Sequence, residues 1–182
     1  NYTYVMTGAS SSPFIISAIQ KGLVKDSLEQ IYQALKKNHM PGGIMEKAGY
    51  EHSTAKGGGL SYYIEKGYVP YPIPEAEFGL HQDGASLTLE YAYQDWCLAQ
   101  LAQKLGHTDD YQYFLQRSQN YRNVYEAESG WMRPKDVAGT WKADFDPYQH
   151  EHGFIEANAA QSSCFVPHDL QGLAGLMGGN EA

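Results

Sequence analysis

The chain has 182 residues, 42% hydrophobic and 19% charged, with a formal net charge of −8. That is enough apolar material for one sizeable core, and it excludes a disordered chain. No basic patch extends beyond Lys36-Lys37, which excludes nucleic acid as an expected partner.

The first twenty residues carry no charge. Tyr2, Thr3, Thr7, Ser10 to Ser12 and Pro13 interrupt every apolar run there, and no basic region precedes them. Neither a signal peptide nor a membrane span is therefore expected in this chain. The uncharged start reads as chain buried inside something larger. The other end stops in a turn signal, Gly178-Gly-Asn-Glu-Ala182. Together they predict an internal piece of a longer protein.

Asp26-x-x-Glu29 has capping-box spacing and predicts a helix running to about Lys37, with Leu28, Ile31, Tyr32 and Leu35 on one face. Asn38 to Gly43 ends it. Gly57-Gly-Gly59 predicts a turn before a further helix. It lacks the Lys-Ser/Thr of a phosphate loop, which excludes nucleotide binding. The strongest helical period spans 86–105: Leu89, Ala92, Trp96, Ala99 and Ala102 recur at spacings of three and four, and Leu98, Leu101 and Leu105 widen that face. Gly106 is the expected C-cap and Thr108 the expected cap of the next helix, with Asp109 and Asp110 in its first turn. Tyr111, Phe114, Leu115, Ser118 and Tyr121 form that helix's inner face. The two make an antiparallel hairpin.

Long aromatic loops are expected at about 40–58, 67–84 and 126–153, the second excluded from helix by its prolines. Loops of this length are usually functional. Helical hairpins with elaborate loops at one end predict an all-α toroid whose loops build a central site. Cys97 and Cys164 are expected as two buried free thiols.

Chemistry concentrates in Gly153 to Asp169. Glu156, Asn158, Gln161, His168 and Asp169 stand among small and apolar residues. A solvated surface would carry lysines and more glutamates, and an ordinary core would not hold so many polar groups needing partners. A site for a hydroxyl-rich ligand fits both facts, with Glu156 as the candidate catalyst. His168-Asp169 fits two readings, a cap on a final helix and a lining of the site. Trp131 and Trp141, in the third loop, are candidate platforms for a sugar ring, whereas Trp96 fits the core stripe. His150-Glu-His152 would place two imidazoles on one side of an extended segment, as in a zinc hydrolase. No third ligand at metal spacing is evident, and a solvated or sugar-binding loop is the favoured reading.

Several ordered blocks resemble one family: Lys21-Gly22, Gly67-Tyr-Val-Pro70, Ser86 to Trp96, Leu105-Gly106 to Tyr125, Gly130-Trp-Met-Arg-Pro134, Phe145-Asp-Pro147 and Glu156 to Gly179. Over nearly its whole length the chain resembles the calcium-dependent α-mannosidases of glycoside hydrolase family 92. The last block is the most specific. The family's Glu-Gly-Asn-Ala-Trp-Gln-Tyr, Val-Pro-His-Asp and Leu-Met-Gly-Gly read here Glu156-Ala-Asn158-Ala-Ala-Gln161-Ser, Val166-Pro-His-Asp169 and Leu176-Met-Gly-Gly179.

The resemblance implies residues 1–182 of a partial (α/α)6 barrel, with an N-terminal β-sandwich and the rest of the barrel outside the chain. It implies inverting exo-hydrolysis of α-mannosides, α-1,2-linked in mannose-rich glycans. Glu156 falls on the family's general acid, and the base, an Asp in a later block, falls beyond residue 182. Phe154, Ile155 and Phe165 are expected to desolvate Glu156 and raise its pKa. The implied cofactor is calcium, for which Asn158, Gln161 and Asp169 have suitable oxygens; no ligand is assigned. The implied partners are a mannose-containing glycan and the remainder of the catalytic domain, without which the fragment alone is expected to be inactive. The implied location is periplasmic or extracellular. Departures occur at Ala157, Ala160 and Ser162, at Gln94 in place of an acidic residue, and at Met6-Thr-Gly8-Ala-Ser10, which lacks the family's His. They leave a catalytically inactive glycan-binding homologue as the alternative.

Overall fold

The computed structural model describes residues 8–47, 57–74 and 83–179. The residues 1–7 that include Met6, much of the 40–58 and 67–84 loops, and the last three residues of the terminal turn lie outside the described residues. What is described is mostly helical: α1 (Ser11–Gln20), α2 (Leu28–Asn38), α3 (Leu60–Lys66), α4 (Gly84–Leu105), α5 (Thr108–Arg117), α6 (Ala159–Ser162) and α7 (Leu170–Leu176). A 3-10 segment, Ser118–Val124, continues α5. One small hairpin departs from the all-α expectation. Strand β1 (Tyr125–Glu126) pairs antiparallel with β2 (Trp131–Met132), Tyr125 opposite Met132. The third expected loop thus opens on a short ladder.

Helix α4 is the axis. Its residues feed three hydrophobic clusters. Ala85, Leu89 and Ala92 pack with Tyr121, Val124, Met132, Phe154 and Val166. Cys97, Leu98, Ala99, Leu101 and Ala102 pack with Ile16, Ile19, Tyr32, Leu35 and Phe114. Leu87 and Tyr91 pack with Met45, Leu60, Tyr63 and Val69. A helix that feeds three apolar clusters is a core helix, and the widened stripe in its sequence is the signal of it. Trp96 is half-buried at the edge of the second cluster, and the buried tyrosines 32, 63, 91 and 121 serve the core.

The α4–α5 hairpin turns on Gly106 at φ +84, as its sequence requires. Two expected caps do not form. Helix α2 begins at Leu28 after Ser27, a left-handed residue at φ 57, with no side-chain cap. Glu29 instead accepts from Gln33 one turn on and pairs with His107 of the α4–α5 turn. Helix α5 likewise starts without a side-chain cap, and Asp110 accepts from Tyr32 and from Lys36 at 2.6 Å. In both places an acid of the first turn is engaged by side chains rather than by the local backbone. The cysteines are free, as expected, but only Cys97 is buried; Cys164 is exposed. Burial pushes the Cys97 thiol up to about 11.

Within the core lies a polar network with no solvent access. Asp95, fully buried on α4, accepts from Arg117 Nε at 2.7 Å and Nη2 at 3.0 Å and pairs with His39 Nδ1 at 2.9 Å. The other ring nitrogen of His39 meets Ser12 Oγ at 2.9 Å, and Arg117 Nη1 donates to the His39 carbonyl. Ser12, His39 and Asp95 have the order of a nucleophilic triad, but the hydroxyl is sealed in the core. Its role is to join α1, the end of α2, α4 and α5. Removing one partner of such a pair leaves a buried charge exposed to low dielectric. Asp95→Ala is therefore expected to lower unfolding free energy by about 3–5 kcal/mol, and Asp95→Asn by less, measured by chemical denaturation.

Candidate active site

A cavity of about 210 Å³ opens beside the Glu156 segment, lined by Ser86, Leu89, Glu90, Ile155, Gln161, Ser162 and Phe165. One wall is the first turns of α4. The other is the chain from Ile155 into α6 and Phe165. Apolar surfaces from Leu89, Ile155 and Phe165 alternate with oxygens from Ser86, Glu90, Gln161 and Ser162, a mixture suited to one face and the hydroxyls of a sugar ring.

The turn before α6 is strained. Glu151, His152 and Glu156 all have positive φ, at 69°, 35° and 49°. For a residue with a Cβ the left-handed region costs about 1–2 kcal/mol, and such costs cluster where function demands a geometry. The turn is held by Glu151 N–H to the Ala157 carbonyl and Phe154 N–H to the Glu151 carbonyl, both 2.7 Å. Phe154, 1% exposed, pegs the turn into the core. Glu156 itself is exposed. The shielding expected from Phe154, Ile155 and Phe165 is thus not present in the described residues: Phe154 points into the core, and the other two line the cavity.

Asn158 and Gln161 come together as a capping box on α6. The Asn158 side-chain Oδ1 accepts from Gln161 N–H at 3.0 Å, and Gln161 Oε1 accepts from Asn158 N–H at 3.2 Å. Asn158 Nδ2 also donates to the Tyr148 carbonyl, and the Tyr148 ring meets Trp131 edge to face at 6.4 Å. Trp131 is therefore tied to the Glu156 segment. Trp141 is not. One of its faces is covered by Lys135 Nζ, 4.0 Å from the ring centroid, which also lies over Tyr68.

Asp169 caps α7, accepting from Gly172 N–H at 2.9 Å, from Tyr121 Oη at 2.8 Å and from Arg122 at 3.0 Å. Burial alone would raise its pKa, but these donors hold it below the ordinary carboxylate range. His168 pairs through Nε2 with the Ser118 carbonyl at 2.9 Å and stacks on Tyr93, which meets Phe165 of the cavity wall edge to face. Burial lowers the His168 pKa, so the ring is neutral at pH 7. The capping reading of His168-Asp169 holds, and their link to the cavity runs through Tyr93 and Phe165. His150 and His152 are exposed, and His152 meets Gln149. Among the described residues no three His, Cys, Asp or Glu side chains gather as a metal cluster.

Glu90 is the site residue that sequence reading passed over. Burial pushes its carboxyl up, and a hydrogen bond from Gln94 Nε2 offsets this only in part. Gln94 in turn accepts from Ala9 N–H at 2.8 Å. An amide can donate to Glu90 and accept from Ala9 at once, which an ionised carboxylate could not. The signal was available: Ser86, Glu90 and Gln94 recur at spacings of four inside an otherwise apolar helix, a polar stripe on one face. A carboxyl whose folded pKa is raised stabilises the fold below its unfolded pKa, and that contribution is lost as pH rises through the folded value. Glu90→Gln is therefore expected to raise the melting temperature at pH 7, with the gain shrinking as pH falls through the raised folded value and gone below the ordinary carboxylate range of about 4. Thermal unfolding across pH 3–8 would show it.

Comparison with known proteins bears on all of this. The family model described as the glycosyl hydrolase family 92 catalytic domain matches residues 1–182. A family GH92 inverting mannosidase of Bacteroides thetaiotaomicron is 34% identical with a TM-score of 0.82, covering 97% of this chain and 22% of that one. A second α-mannosidase of that family and organism, solved with mannoimidazole, is 32% identical with a TM-score of 0.82, over 98% of this chain and 22% of that one. A protein of Arthroderma benhamiae named as an uncharacterized secreted glycosidase is 27% identical, over 67% of this chain and 19% of its own length. The chain thus spans about a fifth of these relatives. It belongs to the glycosyl hydrolase family 92 catalytic domain family.

Proposed function

We propose that the protein containing this chain is an inverting exo-α-mannosidase acting on α-1,2-linked mannose-rich glycans, with Glu156 as its general acid. The observation that carries the reading is the placement of Glu156. It stands exposed in a strained left-handed conformation, directly after the cavity-lining Ile155. The relative bound to mannoimidazole supports a mannose ring as the occupant of such a cavity. Inversion needs an acid on the leaving oxygen and a second carboxylate activating water on the opposite face, roughly 6.5–9.5 Å apart. That base comes from chain beyond residue 182.

Architecture belongs to the same proposal. The helices form part of an (α/α)6 barrel completed by the rest of the catalytic domain, preceded by a β-sandwich. Phe14, Leu23 and Leu170, between 65% and 78% exposed, supply apolar surface for that remainder to cover. The same covering would shield Glu156. Binding of the sugar would use Gln161 in the cavity wall and Trp131 at its side; Asn158, His168 and Asp169 would hold the wall in place through the contacts described. The secreted relative supports an extracytoplasmic location, and no described helix is long and apolar enough to cross a membrane.

Calcium fits the donor chemistry present. The Glu90 carboxylate and the Ser162 hydroxyl are hard oxygen donors in one cavity wall, and would hold the ion together with groups from the rest of the domain. Asn158, Gln161 and Asp169, by contrast, spend their side-chain oxygens on helix caps, and the Ser86 hydroxyl accepts from Ile155 N–H. When bound, the ion would supply positive charge for sugar hydroxyls.

In the full-length protein, mannose release from α-1,2-mannobiose is expected to vanish with a calcium chelator and return with calcium. Glu156→Gln is expected to reduce that release by about 10²–10⁴-fold, the usual contribution of general acid catalysis, while glycan affinity persists. Release unaffected by Glu156→Gln would remove the general-acid assignment. No release by folded wild-type protein under any metal condition, with glycan still bound, would establish the binding-only homologue instead.

A further inference from the structure

The strained turn that presents Glu156 is hydrogen-bonded to the first turn of α4. Ala85 and Ser86 N–H groups both donate to the Gly153 carbonyl, at 3.1 and 3.3 Å. The Ser86 hydroxyl accepts from Ile155 N–H at 3.0 Å. These are N-terminal amides of a helix with no side-chain cap, so the turn takes the place of one. Gly153, at φ +102, lies so close to Pro134 that a Cβ there would collide with its ring, which closes the opposite side. Ser86 is 7% exposed, yet its residue also lines the cavity.

We propose that Ser86 is a positioning residue for Glu156: its hydroxyl fixes the Ile155 amide and thereby holds the next residue in the left-handed conformation that aims its carboxyl at the bound glycoside. The inference rests on Glu156 being the general acid. Without the hydroxyl, Ile155 N–H loses its acceptor, and the φ of Glu156 is free to relax toward the right-handed region that a side chain prefers. The carboxyl then swings away from the leaving oxygen. Nothing else in the site is displaced, because Phe154 remains pegged in the core and α6 keeps its own capping box.

A misplaced acid has a signature that a loosened fold does not share. Proton donation matters for a poor leaving group and hardly at all for a strongly acidic one. In the full-length enzyme, Ser86→Ala is expected to lower kcat on α-1,2-mannobiose by about 10–100-fold, with KM little changed, the scale of an ångström-level misplacement. On 2,4-dinitrophenyl α-mannoside the loss should stay within about 3-fold, since the barrier no longer depends on the acid. Added to Glu156→Gln, Ser86→Ala should cost nothing more on mannobiose. Ser86→Thr, which keeps the acceptor oxygen, should restore most of the kcat. Equal losses on both substrates, or a further loss in the Glu156→Gln background, would overturn the proposal in favour of a structural role. If Glu156→Gln itself loses equally on both substrates, the general-acid reading falls first and takes this inference with it; a leaving-group effect in Glu156→Gln but not in Ser86→Ala sinks the positioning role alone.

Discussion

Asp95 sets the terms for the rest of the chain. A carboxylate with no solvent exposure, in the middle of a helix packed on every side, must be matched or the helix cannot be buried. The match comes from His39 at the end of α2 and Arg117 at the end of α5, with Ser12 of α1 behind the imidazole. Three helices are thereby fixed around α4 by directional bonds rather than by apolar contact alone. Arg117 also lies over the rings of Tyr63, Tyr113 and Phe114, which spreads its charge into the surrounding aromatic surface.

A rod held at one point is held along its length. Ser86 stands nine residues before Asp95 on the same helix, about 13 Å at 1.5 Å per residue. The core network and the cavity wall are therefore two stations of one rigid element. Ser86 and Glu90 present their groups to the cavity from the helix, while the facing wall is irregular chain that needs pinning. That division explains why strain collects at Glu151, His152 and Glu156 and not on α4. Irregular backbone can be bent to aim a carboxyl, provided a rigid neighbour absorbs the free amides.

The departures from the family pattern acquire physical meaning from their surroundings. Ala157 packs at the edge of the first core cluster, and its carbonyl closes the strained turn. Ser162 leaves its hydroxyl in the cavity wall. Gln94 bridges Glu90 and the backbone of Ala9, a double task suited to an amide. Of the three, Ser162 alone lines the cavity; Ala157 and Gln94 belong to the surrounding framework.

Much was legible in the residues themselves. The 3.6 period of α4, the glycine at 106 and the inner face of α5 specify a hairpin because they depend only on local geometry and on which side chains avoid water. The Glu156 to Asp169 run stood out by its composition, and the structure accounts for Asn158, Gln161 and Asp169 as helix caps. The caps expected at Asp26 and Thr108 do not form, and the neighbouring acids have partners the sequence does not display: Glu29 meets His107 of the α4–α5 turn, and Asp110 meets Tyr32 and Lys36 of α2. Trp131 and Trp141 look alike along the chain, yet one joins the site and the other is stacked under Lys135. Glu90 was hidden for the same reason, as an acidic residue inside a core helix gains meaning only when a cavity is found beside it. The sequence alone determined which segments become helices and where the polar chemistry is concentrated. Only the tertiary structure decided which carboxylate faces a cavity, which serves as a cap and which is neutralised in the core, because a charge's role depends on the partners brought within about 3 Å of it, and those come from distant parts of the chain.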